Sequence, residues 1–114
     1  MKVFVLFKSP DKRKIVKISA ISEDRTKKFH AEIGEKPHRL LMIKAFEDFE
    51  KFCTSECGMK DKTDEVCIIN YTRELAGDLF DFDTFMLGRE WCTLKFCDGM
   101  PDETSQYISD LQGE

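Results

Sequence analysis

The chain has 114 residues, 41% of them hydrophobic and 35% charged, with a formal net charge of −4. That length fits one domain, residues 1–114, with enough interior to fold without disulfide or metal staples. No run of about 18 apolar residues offers a membrane span, and Lys8, Asp11, Lys12, Arg13 and Lys14 interrupt any apolar core of a secretion signal, so a cytoplasmic location with no membrane partner is expected.

Lys2 to Lys8 reads as a strand that is apolar on both faces, and hence covered on both sides. Ser9-Pro10-Asp11-Lys12 supplies turn chemistry, and Ile15 to Ile21 reads as a second strand with Val16, Ile18 and Ala20 on one face. After the polar turn Ser22-Glu23-Asp24-Arg25, Phe29, Ala31 and Ile33 alternate with His30 and Glu32, the period of a half-buried strand. The three pieces form an antiparallel meander. A helix is expected from about His38 to Cys53, because Leu41, Ala45, Phe49 and Phe52 recur at spacings of three and four, with Met42, Phe46 and Cys53 widening the stripe. Glu47 and Lys51 are spaced as an i,i+4 ion pair, and Gly58 suits a left-handed cap past the helix end.

Met59 to Glu65 is polar and loop-like, and Val66 to Ile69 reads as a buried strand parallel to the first. From Thr72 to about Met86 a helical period returns, with Leu75, Leu79, Phe82 and Met86 on one stripe and Glu74, Asp78 and Asp81 on another face. Trp91 to Phe96 reads as a fifth strand, and Pro101-Asp102-Glu103 opens a final short helix. The expected order is βββαβαβα: an α/β fold with a mixed five-stranded sheet flanked by helices.

That order, together with Met1-Lys2-Val3-Phe4, Lys17-Ile18-Ser19-Ala20-Ile21-Ser22-Glu23-Asp24 and Lys28-Phe29-His30-Ala31-Glu32-Ile33, resembles the ribonuclease H-like superfamily. More narrowly, it is similar to the small 3′–5′ exoribonuclease-like proteins of bacteria and their phages. Members of that family often read as a short strand, then "isIgavsEDg", then "fyAel". The helix with Phe46, Phe49 and Phe52 and the strand ending at Asn70 fit the same layout, so the resemblance covers roughly the first 80 residues. It implies a central first strand bearing an Asp and, two positions on, a Glu, since two-metal hydrolysis needs anionic oxygens to hold ions about 4 Å apart. At that stretch this chain has Val5, Leu6, Phe7 and Lys8. Hydrocarbon cannot ligate magnesium, and a lysine repels it. The resemblance therefore implies a fold that has lost the family's nuclease chemistry.

Charge is asymmetric: residues 1–50 hold 12 Lys and Arg against 8 Asp and Glu, and residues 51–114 hold 6 against 14. An acidic half argues against nucleic acid as a direct ligand and suits a basic protein surface; an ordinary solvated face is the plainer reading. Glu74, Asp78, Asp81 and Asp83 are the densest acidic group, with Phe80 and Phe85 beside them as candidate aromatic anchors of an interface or as packing residues. Five cysteines without an export signal are expected to be reduced. Cys53 with Cys57 and Cys92 with Cys97 have spacings that raise a zinc site, but the second pair lies in an expected strand, which favours buried thiols acting as small apolar groups. His30 and His38 stand near no nucleophile motif.

These readings converge on a non-catalytic protein-binding module without cofactor or metal. A phage-encoded inhibitor of a host nucleic-acid enzyme or defence system would have this character. The alternative is a metal-dependent 3′–5′ exonuclease with a rearranged site drawn from other positions, such as Glu32, Asn70, Glu74 and Asp78.

Overall fold

The computed structural model describes residues 1–8, 17–34, 39–69 and 82–96. Their strands form one mixed five-stranded sheet in the order β3-β2-β1-β4-β5, from β1 (Lys2–Lys8), β2 (Lys17–Ser22), β3 (Lys28–Glu32), β4 (Glu65–Ile68) and β5 (Thr93–Phe96). β1 pairs antiparallel with β2, and β2 with β3, which is the expected meander. On its other side β1 pairs parallel with β4, and β4 parallel with β5. β1 is therefore the middle strand, and its apolar run has a reason: Val3, Val5 and Phe7 enter one buried cluster while Phe4 and Leu6 enter another with Ile21, Cys67 and Ile69.

The turn joining β2 to β3 is built from short polar side chains. Asp24 accepts hydrogen bonds at Oδ1 from Ser22 Oγ (2.7 Å), Thr26 Oγ1 (2.7 Å) and Thr26 N (3.0 Å). Those donors hold its carboxyl down to about 2, below the usual carboxylate range. Arg25 adopts φ 66°, a left-handed conformation. In β3 the expected alternation holds, with Phe29 and Ala31 half-buried between exposed Lys28, His30 and Glu32, and Ile33 buried beyond.

Helix α1 (Arg39–Lys51) lays Ala45, Phe46 and Phe49 on the sheet and continues into a π-helical turn, Phe52–Glu56, that buries Phe52 and Cys53. Leu41 departs from the expected stripe, being half exposed to solvent. At 100° per residue it lies about 80° around the axis from Phe49, at the margin of the apolar face. The ion pair on α1 is Lys44–Asp48 (3.7 Å) instead of Glu47–Lys51. The wide turn follows where Cys57 N donates to Phe52 O (3.1 Å) and Thr54 Oγ1 to Glu50 O (2.8 Å), and Gly58 then takes the left-handed φ of 71°.

The rings of Phe7, Phe46 and Phe49 meet Phe82 at 5.0, 5.5 and 5.6 Å between centroids, while Phe29 packs on Phe49 and Phe52. Phe82 belongs to a helical segment, residues 82–86, where Phe82 and Met86 face the core as their spacing requires. The rest of the expected 72–86 helix, the final helix and the Lys12-Arg13-Lys14 turn lie outside the described residues. β5 starts at Thr93, two residues later than expected, because Trp91 and Cys92 are occupied by tertiary contacts. Asp64 fastens the lower end of the sheet: its Oδ1 accepts from the Met1 amine (2.8 Å), its Oδ2 from Lys60 N (2.9 Å), and its carbonyl from Thr93 N (2.8 Å).

Candidate functional site

Two places follow from the sequence: the first-strand positions where a nuclease would hold metal, and the acidic ground near residue 83. At the first, Val5 and Phe7 are buried against α1 and Phe82, and Leu6 is buried on the opposite face. The pleat fixes this, since successive residues of a central strand point into opposite buried layers. Of the alternative acids, Glu32 is exposed on the outer strand β3, opposite Lys17 and two strands from β1. Asn70, Glu74 and Asp78 lie outside the described residues. Among the described residues, no three His, Cys, Asp or Glu side chains gather in a way that holds a metal ion.

At the second place, Glu74, Asp78, Phe80 and Asp81 lie outside the described residues. Asp83 is exposed and borders a cavity of about 190 Å³ whose wall includes Lys62, Met86, Leu87, Cys92 and Leu94. Leu87, at its rim, is 78% exposed and is the most exposed large apolar side chain among the described residues. Phe85 is half-buried. Its ring packs on Phe46 at 5.6 Å, and the Arg89 guanidinium sits 4.3 Å from its centroid.

Arg89 belongs to a small polar hub that the sequence reading missed. Glu50 Oε2 accepts from Arg89 Nε (2.9 Å) and from the Trp91 indole N–H (2.7 Å). Lys62 Nζ donates to the Arg89 carbonyl, and Thr93 Oγ1 to the Lys62 carbonyl (2.8 Å). The hub thus ties the end of α1 to the segment carrying Asp83 and Leu87. One signal was available: a packed Trp needs a partner for its N–H, and Glu50 ends a helix whose apolar face is already full. A second missed pair is Ser19 with His30, Oγ to Nδ1 at 2.9 Å, which register places directly opposite on β2 and β3. Ser19 is buried and His30 exposed, so the contact satisfies a hydroxyl enclosed in the sheet.

Cys53, Cys57, Cys67 and Cys92 are buried and form no disulfide among the described residues, while Cys97 lies outside them. Burial pushes the thiols of Cys57 and Cys92 up to about 11 and that of Cys53 further up, so they stay neutral and pack as apolar groups. A second concavity, about 390 Å³, opens between β3 and the π-helical turn, with Phe29 and Phe52 as its floor and Asp48, Lys51 and Glu56 on its rim. No helix among the described residues is long and apolar enough to cross a membrane. Comparison with protein-family models, curated proteins and solved structures finds no match.

Proposed function

We propose that this chain is a small non-catalytic protein-binding module on a ribonuclease H-like sheet, engaging a basic protein surface through the acidic ground that ends at Asp83. The observation that carries this reading is the state of β1. It is the middle strand of three antiparallel strands continued by two parallel ones, and its positions 5–7 are packed hydrocarbon on both faces. A strand so committed to the core has no room to exchange those side chains for metal-binding carboxylates. The sheet order supports the ribonuclease H-like layout by the same token. Asp83 and Leu87 together offer a carboxylate beside an exposed apolar side chain, a combination suited to a basic partner with some apolar surface. Phe85 acts in this reading from beneath, holding that segment on α1 through Phe46. The partner class is a host nucleic-acid enzyme or defence protein in the cytoplasm, and the chain would act as a phage-encoded inhibitor does.

The test compares affinity capture by the unaltered chain and by Asp78→Lys/Asp81→Lys/Asp83→Lys, with circular dichroism to verify that both are folded. One basic protein retained by the unaltered chain and lost by the variant is expected. Equal retention by both removes the acidic surface from the account. Magnesium- or manganese-dependent hydrolysis of single-stranded RNA or DNA by the purified chain would overturn the non-catalytic assignment.

A further inference from the structure

We draw no further inference here: the strongest candidate, the cavity of about 190 Å³ under Leu87 between the 82–86 helical segment and β5, belongs to the surface already described, and nothing in the structure shows what covers its exposed apolar rim.

Discussion

Arg25 and Asp24 show how a single turn stores opposite contributions. Arg25 sits at φ 66°, where a side chain bearing Cβ meets the backbone unfavourably. The left-handed conformation costs an L residue roughly 1–2 kcal/mol, and glycine gives back about 0.5–1 kcal/mol through its freer unfolded chain. Arg25→Gly is therefore expected to stabilise the fold by about 0.5–1 kcal/mol, measured as a raised urea midpoint with an unchanged slope. Asp24 works the other way. Its carboxyl is lowered to about 2 by hydrogen bonds from Ser22 and Thr26, so the folded state binds fewer protons at this site than the unfolded chain. Its contribution is complete above the ordinary carboxylate value near 4 and fades as pH falls toward about 2. Urea titrations at several pH values should show the unaltered chain more stable than Asp24→Asn at pH 6, with the difference shrinking through that acid window. A constant difference would mean that the charge of Asp24 is not what the turn uses.

Among the elements, α1 carries more than its apolar stripe. Its last full turn supplies Glu50, which receives both Arg89 and Trp91, two groups only half-buried. Hydrogen bonds to a charged acceptor contribute about 1.5–3 kcal/mol when shielded, and partial exposure lowers that. Glu50→Ala is expected to cost about 1–2 kcal/mol, and Glu50→Gln less, since an amide oxygen can still accept from the indole. Trp91 is the chain's single tryptophan, so its emission reads the hub directly: a red shift in Glu50→Ala without loss of helical signal is the expected result. Such elements also mark how far sequence reaches. The period of Ala45, Phe46, Phe49 and Phe52 is local information, and it suffices to place α1 on the sheet. Glu50 lies some 40 residues from Arg89 and Trp91 in sequence, and no local period encodes their meeting. The sequence pattern starts a strand at Trp91, yet its N–H is drawn to Glu50 instead. The π-helical turn was equally hidden, because it depends on a shifted backbone ladder and not on side-chain pattern.

For the molecule as a whole, the sheet divides into a local half and a distant half. Lys8 faces Lys17 across the β1–β2 pair, whereas Lys2 pairs with Glu65 across β1–β4. Closing the second pairing costs more chain entropy before any contact forms. Val66→Ala, at a fully buried β4 position, is expected to cost about 1.5–3 kcal/mol, most of it in faster unfolding and little in slower refolding. Stopped-flow rates against urea would show this, and an equally slowed refolding arm would place β4 in the folding nucleus instead. The overall α/β layout was legible because strands at period 2 and a helix at period 3.6 announce themselves, and the burial of β1 on both faces followed from its apolar run. The candidate surface was legible as acidity alone. Acidic residues on a helix look alike whether they meet a partner or water, and only the placement of Asp83 beside Leu87 and its cavity adds geometry to charge.

The middle position of β1 also has a consequence during synthesis. The ribosome delivers β1 before either of its partners, and β4, the partner on one side, only about 60 residues after it. Through that interval the meander can form, yet one flank of its most apolar strand faces solvent with ladder groups unmatched. A nascent chain stalled before Glu65 is thus a template for pairing with another copy, so a pause in translation at that point would favour aggregation over folding.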